Sequence, residues 1–95
     1  MQKGRVFHSS LFLLRVTTGN QDTRISAVAP LKIAKKAVVR NRIRRKIYTA
    51  VRPLAAKISD GAYGAIFAKK NVGPIDMEAI TVDLLELFTK ARLLA

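Results

Sequence analysis

Across residues 32–46 the chain reads KIAKKAVVRNRIRRK, in which eight of fifteen side chains are Lys or Arg and none is acidic. A block of like charge this dense repels itself and, left alone, stays a solvated face or an unfolded arm. Here Ile33, Ala34, Ala37, Val38, Val39 and Ile43 interrupt it and Ile47 follows, so apolar side chains tie it to a core. Placed about 100° apart, Val39, Ile43, Ile47, Ala50, Val51, Leu54 and Ile58 fall within roughly a third of a turn. Arg42, Arg45 and Arg52 lie opposite, with Arg44 and Lys46 at the margins. The spacing predicts an amphipathic helix from about Ala37, with one apolar and one cationic face. Arg40 plots inside the apolar arc, so it either reaches outward from the first turn or the helix starts later. Pro53 lacks an N–H and clashes with the preceding turn, which predicts an end or kink near Arg52.

The charge is as unevenly spread as that block implies. The 95 residues hold 18 Lys or Arg against 6 Asp or Glu, a formal net charge of +12. Residues 1–57 carry fourteen bases and one acid, Asp22, a balance of +13, while residues 58–95 balance at −1. Hydrophobic residues make up 49% of the chain, far more than a disordered basic tail contains. A chain of this length supports one core, so a single domain over residues 1–95 is expected. Folded, apolar inside and strongly basic outside, it has the composition of a nucleic-acid binder. Arginine pairs bidentately with phosphate and lysine adds point charge, and each phosphate neutralised releases counterions. A helix that lies on acidic lipid would want Trp or Phe on its apolar face, whereas this face is aliphatic and suits a sheet. The cations also spread too widely around the helix to form one narrow stripe for a DNA major groove, which favours RNA over duplex DNA only weakly.

Residues 11–16 (LFLLRV) and 25–29 (ISAVA) are short apolar runs flanking a polar stretch with Gly19, Asn20 and Asp22, which predicts two antiparallel strands joined as a hairpin. Arg5 to His8 adds a possible leading strand. Residues 62–68 (AYGAIFA) read as a buried central strand. Asp76 is placed as an N-cap with Glu78 in the following turn, and Ile80, Leu84, Leu87, Phe88 and Ala91 give a second amphipathic helix. The fold class is therefore α+β: a small mixed sheet of three to four strands with helices packed on one face, in the order (β)-β-β-α-β-α.

Side-chain catalysis is poorly supported. There is one histidine, His8, and no cysteine, which leaves no thiolate or histidine-rich metal site and no recognisable nucleophile and base pair. No apolar run is long enough to span a membrane, and the short run before Arg15 does not make a signal-peptide core. No membrane partner and a cytoplasmic location are the expectations.

Residues 32–45 closely resemble the signature of the bacterial ribonuclease P protein subunit, whose pattern is approximately Ser-Lys-Lys, a spacer, Ala-Val, then Arg-Asn-Arg and further bases on a helix. Ala37-Val38 and Arg40-Asn41-Arg42 match it. The likeness extends more loosely along the chain, to a final helix with a Leu-Leu-x-Leu-Phe core at residues 84–88. The resemblance implies a protein subunit of an endoribonuclease whose catalytic groups reside in an RNA. That complex cleaves the 5′ leader from precursor tRNA with Mg²⁺ bound mainly by the RNA and none by this chain alone. It places Lys32, Lys35, Lys36, Arg40, Asn41, Arg42, Arg44, Arg45 and Lys46 at the interface with the catalytic RNA. It also implies a left-handed crossover from the strand before the signature helix to the strand after it, against the usual right-handed rule, and a cleft on the sheet for the single-stranded leader.

Three departures accompany the match. The family's Ser-Lys-Lys falls on Leu31-Lys32-Ile33, which removes a hydroxyl and a cation. The family's helix before the first strand is expected to be missing here, and with it part of the leader cleft. Four Phe and two Tyr leave few aromatics for stacking, so Phe12 or Leu14, with Arg15, are the expected leader contacts. The alternative reading is a structural RNA-binding protein, such as a small ribosomal protein; a third, a basic DNA-binding protein, fits the charge but not the motif, so no DNA partner is expected.

Overall fold

The computed structural model describes residues 4–17, 23–58 and 61–93. Four strands and two helices follow in the order β1 (Arg5–His8), β2 (Phe12–Thr17), β3 (Arg24–Val28), α1 (Ala37–Ala55), β4 (Tyr63–Ala68) and α2 (Met77–Lys90). In space the strands lie β1-β2-β4-β3. β1 pairs antiparallel with β2, β2 antiparallel with β4, and β3 parallel with β4.

That order corrects the expected hairpin. β2 and β3 run in opposite directions, as the sequence predicts, but β4 lies between them. Of the expected hairpin loop, residues 17–23, residues 18–22 lie outside the described ones. The physical reason is burial. Gly64, Ala65, Ile66 and Ala68 of β4 are all buried, and a strand apolar on both faces is most stable in the middle of a sheet. β3, with Arg24 exposed and its other residues mostly half-buried, is left at the edge. β3, α1 and β4 thus form a crossover between neighbouring parallel strands.

Strand parity sorts the side chains. Phe12, Leu14 and Val16 of β2 oppose Ala68, Ile66 and Gly64 of β4 on one face. All but Gly64 belong to a single core that also takes in Ile43, Ile47, Ala50, Val51 and Leu54 of α1 and Ile80, Leu84, Leu87 and Phe88 of α2. Both helices therefore cover the same face. Leu13, Arg15, Tyr63, Phe67, Ser26 and Val28 point to the other one, because residues alternate along a strand.

The helix ends depart from expectation in two details. α1 continues through Pro53 to Ala55. Proline costs a hydrogen bond to the carbonyl four residues back, here that of Thr49, but so close to the end only the final turn is affected, and buried Leu54 holds that turn down. Asp76 does occupy the N-cap of α2, yet its side chain makes no capping hydrogen bond; the first helical bond runs from Ile80 N–H to its backbone oxygen. Asp83 has a structural role. Its carboxylate accepts from Ser9 Oγ (2.5 Å) and Leu11 N (3.3 Å), tying α2 to the β1–β2 turn.

Candidate nucleic-acid interface

The cationic surface is built from the crossover loop and α1. Pro30 O accepts from Ile33 N and Ala34 N, a turn that buries Ala34 and turns Leu31, Lys32, Lys35 and Lys36 outward. Arg40 closes the loop from above. Its Nη1 donates to Ala34 O (3.0 Å) and Lys35 O (2.7 Å), which resolves its place in the apolar arc: it sits in the first turn and reaches back. No side chain caps the N-terminus of α1 and no acid stands in its first turn, so the positive end of the helix dipole adds to Lys35 and Lys36.

The remaining signature residues divide by what they touch. Lys32, Lys35, Lys36, Asn41, Arg42 and Arg45 are exposed, whereas Arg40, Arg44 and Lys46 are half-buried. Arg44 donates to Asn41 Oδ1. Lys46 Nζ reaches across to Ile75 O (2.5 Å), so this cation also locks the loop before α2 onto α1. Arg42 lies over Gly73: a Cβ built there would stand 3.4 Å from its Cδ, and only 3.0 Å from Asn71 Oδ1. Residues 23–59 contain no Asp or Glu at all. Loop and helix therefore form one ridge of positive charge, and Arg52, which the signature does not include, extends it as an exposed cation.

On the opposite side of the sheet a shallow cleft runs between β2, β4 and the crossover loop, lined by Leu13, Arg15, Pro30, Lys32, Phe67 and Lys69 among others. The Arg15 guanidinium carbon stands 6.0 Å from the centre of the Phe67 ring, within reach of a cation–π contact. Here the sequence expectation needs correcting. Phe12 and Leu14 are fully buried beneath the helices and reach no ligand; of the three expected cleft residues only Arg15 faces it. Phe67 and Leu13 line the cleft beside it. Parity carried the signal: an exposed Arg15 puts Leu13 on its own face and Phe12 and Leu14 on the other.

His8 is exposed on edge strand β1, and among the described residues no three His, Cys, Asp or Glu side chains are grouped to hold a metal ion. No described helix is long and apolar enough to cross a membrane. The arrangement presents guanidinium and ammonium groups along one ridge, chemistry suited to a polyanion, with a mixed apolar and cationic cleft behind it.

The family model described as Ribonuclease P matches residues 1–92. The ribonuclease P protein component of Rippkaea orientalis is 33% identical over 99 residues, covering 98% of this chain and 78% of the relative. That of Chloroflexus aggregans is 33% identical over 96 residues, covering 98% and 70%. The fold matches the RNase P protein of Staphylococcus aureus with a TM-score of 0.81 at 17% identity, over 97% of this chain and 84% of that one. The RNase P protein from Thermotoga maritima gives 0.80 at 20% identity, over 93% and 84%. With the Arg40-Asn41-Arg42 triplet on its cationic helix and this mixed sheet beneath it, the chain belongs to the bacterial ribonuclease P protein family.

Proposed function

We propose that this protein docks its loop-and-helix ridge on the RNA subunit of ribonuclease P and offers its open sheet face to the 5′ leader of precursor tRNA. The ridge carries the reading: an acid-free stretch of residues 23–59 presents Lys32, Lys35, Lys36, Arg42 and Arg45 to solvent from a loop clamped by Arg40. Two RNAs that must come together repel each other, and a protein cation surface lowers that repulsion while releasing counterions. The Mg²⁺ ions of the reaction belong to the RNA in this reading, and the protein's part is electrostatic and positional. A cytoplasmic location goes with it.

The leader site follows from the cleft. Single strands bind where a cationic groove tracks the backbone and aromatics receive bases, and Arg15, Lys32, Lys69 and Phe67 supply both. Reconstitution tests the whole. Purified protein mixed with ribonuclease P RNA at low Mg²⁺ is expected to accelerate release of the 5′ leader; no stimulation over RNA alone overturns the proposal. Binding without stimulation would instead favour a structural RNA-binding protein. The cleft is tested separately: Phe67→Ala should weaken precursor tRNA relative to leaderless tRNA by about 5- to 150-fold, the worth of one base stack, and equal loss for both removes the leader from this face.

A further inference from the structure

Cations bind phosphate and carry no information about which nucleotide they touch, and the outer face of α1 presents groups of another kind. Six large apolar side chains are exposed among the described residues, and three of them, Leu31, Val38 and Tyr48, stand within the cationic loop and helix. Val38, Asn41, Arg45 and Tyr48 follow the spacing i, i+3, i+7, i+10 and form one stripe on the helix; together with Arg44 they line a shallow groove. Tyr48 is 42% exposed, yet it is not free to swing. Its hydroxyl accepts a hydrogen bond from Ala27 N at 3.0 Å, on edge strand β3. The ring also borders a second groove, shared with Ile25, Val51 and Arg52, so guanidinium groups flank it on both sides.

An exposed aromatic ring held at its far end, and fenced by arginines, is already ordered before a ligand arrives. Binding then avoids much of the side-chain ordering cost. A planar base stacks on such a ring irrespective of its identity, and Asn41 and Arg44 stand beside it with hydrogen-bonding groups for a base edge. The surrounding charge selects a polyanion, since no acid occurs from residue 23 to residue 59. A duplex does not fit, because its bases are stacked within the helix and the A-form major groove is too narrow for side chains to enter.

We infer that Tyr48, with Val38, Asn41, Arg44 and Arg45, forms a subsite for one unpaired nucleobase of the RNA that α1 engages. This rests on the reading of α1 as an RNA-docking helix and adds to it a contact with a base. The adjoining Arg45 and Arg52 take the flanking phosphates.

Two RNA probes of equal length test it, one a hairpin with a purine-rich loop and one fully paired, each titrated at several salt concentrations. Tyr48→Leu is expected to lose about 5- to 150-fold in affinity for the looped RNA, with an unchanged salt slope and little change on the duplex. Tyr48→Phe keeps the stacking face and loses only the tether to Ala27, so its loss should be smaller than that of Tyr48→Leu. Tyr48→Trp introduces the sole indole of the chain, and its emission should be quenched by the looped RNA and not by the duplex. Circular dichroism confirms that each variant is folded. Tyr48→Leu binding as the parent does, an equal loss on both probes, a Tyr48→Phe loss as large as that of Tyr48→Leu, or an unquenched indole each overturns the subsite. Lys35→Ala with Arg42→Ala, both exposed and outside the subsite, reads the underlying docking separately: if that double variant weakens RNA while Tyr48→Leu does not, only the subsite falls, and if neither variant changes affinity, both do.

Discussion

Arg92 holds the end of α2 in a conformation that L-residues avoid. Its φ is +56°, and it occupies the position after the C-cap Ala91. Leu93 N donates to Phe88 O and Arg92 N to Thr89 O, both at 3.1 Å, the paired bonds of a Schellman motif. Glycine normally fills this place because it carries no Cβ to clash. Arg92→Gly should therefore raise stability by about 1 kcal/mol, read as a higher denaturant midpoint with unchanged m-value. Gly64 presents the opposite case. It sits on the helix-covered side of β4, and a Cβ there would stand 3.1 Å from Ile25 Cδ1 and 3.3 Å from Leu14 Cδ1. Gly64→Ala should destabilise by about 1–3 kcal/mol through overpacking, and an unchanged thermal midpoint would show that the Ile25 and Leu14 side chains move aside freely.

At the scale of elements, α1 and its preceding loop act as one part because Arg40 joins them. A guanidinium can reach two carbonyls from one side chain, and a lysine ammonium at the same charge lacks the planar fork. Arg40→Lys is thus expected to weaken RNA binding through a loosened presentation of Lys35 and Lys36 while leaving the salt slope unchanged, because no charge is lost. In Arg40→Ala, which does remove the charge, a slope lower by about 0.7–0.9 would instead make Arg40 a direct phosphate ligand. The sequence showed the start of α1 at Ala37 and its two faces, because helical periodicity is a local property. It also showed β1 at Arg5–His8. It did not show which strands are neighbours, since that depends on β4 being flanked on both edges by strands far away in the chain. Nor did it resolve the cleft, where reading residues 62–68 simply as buried hid the outward parity of Tyr63 and Phe67.

Across the whole molecule, charge is segregated by construction: the acid-free loop and α1 pack on the β3 side, and α2 packs against β1 and β2. Exposed Glu78 and Glu86 are on α2, so the RNA partner meets repulsion if it wraps that way. Glu86→Lys should change RNA affinity by less than about threefold near physiological salt, where fields decay over about 8 Å. A salt slope steeper by about 0.9 would mean that the RNA also covers α2.

The central position of β4 has a further consequence, which concerns time. β4 closes the sheet from the middle, although it is the last of the described strands to be made. Until residue 68 exists, β2 and β3 are two separate edges, and the apolar stripe of α1 has no completed sheet to rest on. Pairings between distant segments are slow because loop-closure entropy must be overcome first. During synthesis from the N-terminus, then, the thirteen excess positive charges are in place before the core that will hold them, and any polyanion nearby meets the cations ahead of the fold.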